Sequence, residues 1–265
     1  MHTTVRRPVR RVDLSAGGHP VTVRPDTLAV EEPLEIRVNG EPFAVTMRTP
    51  GHDLELALGF LLGEGVIAGP QDVSRGIACG DTGLEITLAP GVDPPARGLS
   101  RRVSSACGVC GTEQIDLVLA RSGTLPDDDL VLDAAVLTLL PDALRQAQRV
   151  FDRTGGLHAA GLFTADGTRI RVREDVGRHN AVDKVVGHAL TLGELPLAGH
   201  VLQVSGRASF ELVQKAVAAG IPVLAAVSAP SSLAVDLAER AGMTLVGFSR
   251  ADSFNVYAGA QRIRT

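Results

Sequence analysis

Residues 1–20 are polar and arginine-rich, carry no apolar period, and predict a mobile arm. Periodicity starts after them. Glu35–Val38 and Phe43–Met47 alternate in character on either side of Asn39-Gly40, the dipeptide that most strongly signals a two-residue hairpin turn. Leu54, Leu58, Leu61 and Leu62 recur at helical spacing, so a helix is expected over 53–62, with Asp53 near its start and Gly63 and Gly65 beyond its end. A strand pair around Ile77 and Leu84–Leu88, turning at Asp81-Thr82-Gly83, completes a small α+β domain over residues 21–100. Its last residues, 89–100, hold Pro90, Gly91, Pro94, Pro95 and Gly98 and read as a linker. Residues 101–125 read as a loop.

The pattern then changes. Leu137–Phe151 predicts one helix, Ala159–Phe163 and Arg169–Arg173 a hairpin turned at Asp166-Gly167, and Asn180–Leu192 a second helix. Val201–Val204, Val223–Val227 and Thr244–Phe248 are short apolar runs of the kind buried in a parallel sheet, separated by helical patterns at Phe210–Ala219 and Leu233–Ala241. The fold class is therefore α/β, with a layered α/β domain over residues 126–265.

Composition narrows the function. The 265 residues are 45% hydrophobic and 21% charged, with a formal net charge of −4, so a basic surface for nucleic acid is not expected. All the basic residues but Lys184 and Lys215 are arginine, a bias spread over the whole chain. Asp13, His19, Arg24 and Asp26 interrupt the stretch behind the N-terminal arginines, so no export signal is expected. No apolar run reaches the roughly eighteen residues of a membrane span. Three cysteines, an odd count in a chain of this size, fit a reducing cytoplasm.

Cys107-Gly108-Val109-Cys110 stands among serines and glycines that favour an accessible loop. A Cys-x-x-Cys pair serves metal ligation, dithiol redox chemistry or sulfur carriage as a persulfide, and two inert buried thiols remain the plainest alternative. Structural zinc would need Cys79 and His158, which fall in different predicted domains. Thioredoxin-like chemistry would need the pair to open a helix after a strand. A nucleophilic thiol carrying sulfur, protected or resolved by its neighbour, fits the surroundings better. Cys79, beside a strand, is expected to be a small buried hydrophobe.

Ligands of open α/β sheets sit beyond the carboxyl ends of the strands, where helix N-termini offer unpaired N–H groups to anions. Here those ends read Ser205-Gly206-Arg207-Ala208-Ser209, Ala229-Pro230-Ser231-Ser232 and Ser249-Arg250-Ala251-Asp252, with Gly177-Arg178-His179-Asn180 opening the preceding helix. Arg207 and Arg250 add charge suited to phosphate. Ser209 and Ser232 read equally well as helix N-caps, and His179 as a ligand contact or a capping-region histidine. No Gly-x-Gly-x-x-Gly and no Walker A sequence appears. His158 lacks the glutamate two residues on that a zinc deaminase needs, so deamination is not expected.

Glu174–Lys184 (EDVGRHNAVDK), Ser205–Glu211 (SGRASFE), Ala229–Ala234 (APSSLA), Gly247–Arg250 (GFSR) and Phe254–Tyr257 (FNVY), with the Cys107–Cys110 loop, resemble the motifs of the FdhD family of formate dehydrogenase accessory sulfurtransferases. The resemblance runs from about residue 25 to 260. It implies a cytoplasmic sulfur carrier that takes sulfur from a cysteine desulfurase of the IscS type and passes it to the molybdenum cofactor, bis-molybdopterin guanine dinucleotide, before that cofactor enters formate dehydrogenase. It further implies a cytidine-deaminase-like C-terminal domain, a homodimer, and no metal held by the protein itself. By position, Cys107 is the persulfide cysteine and Cys110 the secondary thiol. Phe248, Ser249, Arg250, Ala251, Asp252 and Ser253 correspond to the cofactor-binding stretch, with Arg207 and His179 beside it. The family often has arginine where Ser253 stands, which removes one expected phosphate contact. A cofactor chaperone that binds the nucleotide and carries no sulfur is the rival reading.

Overall fold

Asn39 and Gly40 both take positive φ, 51° and 83°, the backbone a tight two-residue hairpin turn demands. They join two strands of the architecture seen in the computed structural model, which describes residues 2–15, 21–93, 101–102, 116, 119–120, 123–125 and 128–265. In chain order the strands are β1 (Thr4–Val12), β2 (Val21–Ala29), β3 (Glu32–Val38), β4 (Glu41–Arg48), β5 (Val73–Cys79), β6 (Gly83–Leu88), β7 (Arg101–Arg102) and β8 (Leu132–Asp133). They continue with β9 (His158–Thr164), β10 (Arg169–Asp175), β11 (His200–Val204), β12 (Val223–Ala226), β13 (Thr244–Gly247), β14 (Asn255–Ala258) and β15 (Ile263–Arg264). The helices are α1 (Asp53–Gly63), α2 (Ala134–Ala147), α3 (Arg149–Thr154), α4 (Arg178–Leu192), α5 (Phe210–Ala218) and α6 (Ser232–Ala241).

The larger sheet has the order β10-β9-β11-β12-β13-β14. Its centre, β11-β12-β13, is parallel and wholly buried along β12 and β13, as the continuous apolar runs predict. The β9–β10 hairpin flanks it on one side and β14 runs antiparallel on the other. Leu137, Leu140 and Leu144 of α2 pack on Phe163, Val201, Val223 and Val246 at one face. Helices α4, α5 and α6 cover the opposite face and share one apolar cluster with α1 and the inner residues Leu34, Ile36, Leu84 and Ile86 of the smaller sheet, β5-β6-β3-β4-β7. The core is thus continuous between the two predicted domains.

Glycines let α1 and α4 meet. A Cβ on Gly59 would lie 2.0 Å from the Asp183 carbonyl oxygen, and one on Gly187 would lie 1.8 Å from that of Glu55. The crossing therefore brings backbone against backbone, and only hydrogen fits between.

Three expectations are corrected. The predicted arm at 1–20 contains β1, paired residue for residue with β2. Because that ribbon is largely exposed on both faces, its sequence carries no burial period to read. The single helix predicted over 137–151 is two, since Gln148 leaves helical geometry at ψ 72° and the Glu174 carboxylate accepts from the N–H groups of Val150 and Phe151 at 2.9 and 2.8 Å, capping α3 afresh. Cys79 is exposed rather than buried, because β5 is an edge strand. No helix among the described residues is long and apolar enough to cross a membrane.

Candidate functional site at the carboxyl edge of the parallel strands

Since β11, β12 and β13 are parallel, the chain leaves all three at one edge, and the segments beyond them are laced together. Ala208 and Pro230 form a parallel bridge, Ser231 N–H donates to the Ala208 carbonyl at 3.0 Å, and Ser249 N–H to that of Ala226 at 3.0 Å. The N-termini of α4, α5 and α6 begin here, at Gly177, Ser209 and Ser231. Ser231, and not Ser232, is the N-cap of α6, its Oγ accepting from Ala234 N–H at 3.3 Å. Ser209 occupies the N-cap position of α5 without a side-chain cap bond; its Oγ lies 3.2 Å from His179 Nε2 instead. The first N–H groups of α5 are thus left without a side-chain cap, the condition in which a helix start attracts an anion.

Charge at this edge is positive. Arg207 and Arg250 are exposed and form no ion pair among the described residues. Arg250 does not pair with Asp252, whose Oδ1 accepts instead from Ser253 Oγ at 3.0 Å. Arg250 N–H is fixed by the Ser253 carbonyl at 2.9 Å, so the stretch from 250 to 253 closes on itself as a turn and turns exposed side chains outward, Ala251 included. Arg178 Nε is buried with no hydrogen-bond partner among the described residues. Burial lowers the pKa of His158, and Arg178 and His179 lower it further, so its imidazole stays neutral where an ordinary histidine begins to charge. His179 Nε2 lies 2.8 Å from Glu211 Oε2, and that hydrogen bond holds the Glu211 carboxyl below its usual range. Glu211 thereby orients the His179 ring at the edge.

Phe248 carries backbone strain. Its φ is +50°, a region that bulky residues rarely adopt at a cost of about 1–3 kcal/mol. The strain turns the ring out to 36% exposure and buries the next residue, Ser249, whose Oγ has no partner among the described residues. An exposed ring beside free guanidinium groups suits a flat, anionic ligand.

On the α2 side of the same edge lies a cleft of about 570 Å³, lined among others by Arg145, Gln148, Phe151, His158, Ser205 and Val227. The sequence reading left His158 out of the site and placed Arg178 at the edge, within Gly177–Asn180, without a role. His158 sits at the start of β9, and only the antiparallel pairing of β9 with β11 carries it to the edge where β11 ends.

Cys107 and Cys110 lie outside the described residues, as does most of the loop 101–125. Of its flanks, β7 joins the smaller sheet beside β4, with Arg102 opposite Val45, and Asp116 meets Arg240 of α6 at 2.5 Å. The structure thus brings together Arg207, His179 and the stretch Phe248–Ser253, and leaves the thiols unplaced.

The sequence profile of the FdhD/NarQ family matches residues 29–264. The chain belongs to that family. The sulfur carrier protein FdhD of Streptomyces coelicolor is 56% identical over 98% of this chain and 95% of its own length. The protein of the same description from Mycobacterium tuberculosis is 55% identical over 99% of both chains. A crystal structure from Desulfotalea psychrophila, described as a formate dehydrogenase accessory protein, superimposes with a TM-score of 0.80 at 25% identity, covering 99% of this chain and all of that one. The FdhD resemblance read from the motifs is thereby confirmed.

Proposed function

We propose that this protein accepts sulfur from an IscS-type cysteine desulfurase as a persulfide on Cys107, and delivers it in the cytoplasm to bis-molybdopterin guanine dinucleotide bound at the carboxyl edge, before the cofactor enters formate dehydrogenase. The relatives' description as sulfur carriers and the neighbour's as a formate dehydrogenase accessory protein support the reading. The observation that carries it is the edge itself: Arg207, Arg250 and the unpartnered Arg178 Nε beside helix N-termini fit the pyrophosphates of a dinucleotide, and the exposed Phe248 ring fits a flat base. The molybdenum group is substrate here, and the protein acts as sulfurtransferase with no metal of its own. The larger sheet and its helices then correspond to the cytidine-deaminase-like domain, and two copies form a homodimer.

Loading is an exchange of bonds between sulfurs. The Cys107 thiolate attacks the terminal sulfur of the desulfurase persulfide, a new S–S bond forms as the donor's breaks, and the donor leaves as a thiolate with no net change in oxidation. Cys110 protects or resolves the loaded cysteine. The test is intact mass after incubation with a desulfurase and free cysteine. One added sulfur atom on the parent, absent from Cys107→Ala and retained in part by Cys110→Ala, is expected. A parent that binds GDP but never gains sulfur would instead be a cofactor chaperone.

A further inference from the structure

The β1–β2 ribbon has nine residue pairs, from Thr4 opposite Ala29 at its root to Val12 opposite Val21 at its far end. At about 3.4 Å per residue it reaches roughly 30 Å. Its root is held, Arg153 Nη2 donating to Thr4 Oγ1 at 3.0 Å, and β2 lies against α3. Beyond it, Arg10, Arg11, Val12 and all of Val21–Asp26 are exposed. A two-stranded ribbon alone is marginally stable in water, so one this long calls for a surface to lie on.

The ribbon's own chemistry says how that surface is met. Pro8 and Pro25 stand directly opposite one another, so the outward N–H is missing at the middle of both edges and a third strand would meet a gap on either side. A partner is therefore met by a face. Alternation puts Pro8, Arg10, Val12, Val21, Val23 and Pro25 on one face, where Val21 is 57% and Val23 70% exposed. Arginine is enriched at protein interfaces, and the exposed valines beside it offer apolar area to bury. Residues 4–29 hold five arginines against Asp13 and Asp26, a net +3 within a chain of net −4, so the rest of the chain carries −7. The ribbon thus complements its own body.

We infer that the ribbon is a dimerisation arm, whose valine and arginine face clasps the acidic body of a second copy of this chain in a reciprocal two-fold exchange. The inference rests on the dimer proposed above and names the element that builds it. Complementary charge makes the association salt-sensitive.

Sedimentation equilibrium of the full chain at low and high salt tests it, with circular dichroism to establish that each variant is folded. The parent is expected to dimerise, more weakly at high salt. Val21→Asp with Val23→Asp, and separately Arg6→Glu with Arg10→Glu, both exposed on the valine face, should each weaken dimerisation tenfold or more, and Arg75→Glu, on the exposed edge strand β5, should not. The four positions substituted are exposed and far from the core, so both double variants should fold as the parent does. Folded double variants that dimerise with the parent's affinity would overturn the arm while leaving the dimer standing. A parent that stays monomeric at tens of micromolar would overturn both.

Discussion

Lys184 Nζ lies 2.6 Å from Asp175 Oδ2, with at most 1% of either side chain exposed. Lys184 also donates to the Thr49 carbonyl at 2.8 Å, and Asp175 accepts from the N–H groups of Thr49 and Gly177 and from Asn180 Nδ2. Asn180 Nδ2 donates in turn to the Met47 carbonyl at 2.8 Å. Three residues of the motif that carries the family resemblance are therefore a clamp: they tie the start of α4, where the anion edge begins, to the end of β4 in the smaller sheet. The motif's signature belongs as much to folding as to ligand.

Removing one partner of a buried pair usually costs about 3–5 kcal/mol, because the other charge is left without compensation. For Lys184→Met the expected loss is about 3 kcal/mol, the low end, since Asp175 keeps three N–H donors. Urea unfolding measures it. Adding Asp175→Asn should cost less than the sum of the two single changes, and strict additivity would show that the charges are not coupled.

Glu55 gives a pH dependence. Burial alone would raise its pKa, but the bidentate hydrogen bond to Arg173, at 2.6 and 2.7 Å, together with the contact to His52, holds the carboxyl far below its ordinary 4.5. A depressed folded pKa means stability that is full above the unfolded value and drains as pH falls through it. Stability should decline from about pH 4.5 downward, and Glu55→Gln should flatten that decline while lowering stability at neutral pH. Unfolding free energies measured between pH 3 and 7 check both effects.

Local pattern made much of this fold readable. Asn39-Gly40, the Asp166-Gly167 turn and the apolar runs of β11, β12 and β13 each encode their geometry within a few residues. What escaped depends on distant partners. The break at Gln148 is set by Glu174, across the chain, and Cys79 is exposed only because β5 has no outer neighbour. Arg178, Arg207 and Arg250 could be placed at the edge from the order of strands and helices, but His158 required knowing which strand pairs with β11. Ser231 and Ser232 are both plausible caps in sequence, and the one-residue choice between them is made by backbone angles.

Arg250 should contribute to nucleotide binding and not to sulfur loading. Its side chain is exposed at the edge with no carboxylate partner among the described residues, so it is available to a pyrophosphate. GDP is expected to bind without hydrolysis, and Arg250→Ala should weaken it by about 1.5–3 kcal/mol, the worth of a charge-assisted hydrogen bond. Persulfide formation on Cys107 should be unchanged. Calorimetry and intact mass, run on the same variant, separate delivery from loading, and unaltered GDP affinity would remove Arg250 from the site.

Phe248 sets stability against binding. Its left-handed backbone costs about 1–3 kcal/mol that glycine would not incur, while glycine adds about 0.5–1 kcal/mol of chain entropy. Nearly two thirds of the residue is out of water, so about 1–2 kcal/mol of burial goes with the ring and offsets much of the relieved strain, and Phe248→Gly should fold within about 2 kcal/mol of the parent. A base stacked on that ring gains about 1–3 kcal/mol, which glycine cannot supply, so GDP affinity should fall by about five- to 150-fold. Thermal unfolding and calorimetry on one preparation decide the matter. A variant that loses several kcal/mol of stability yet binds GDP as the parent does would make the ring a packing residue, and the strain at 248 would then serve the loop rather than the ligand.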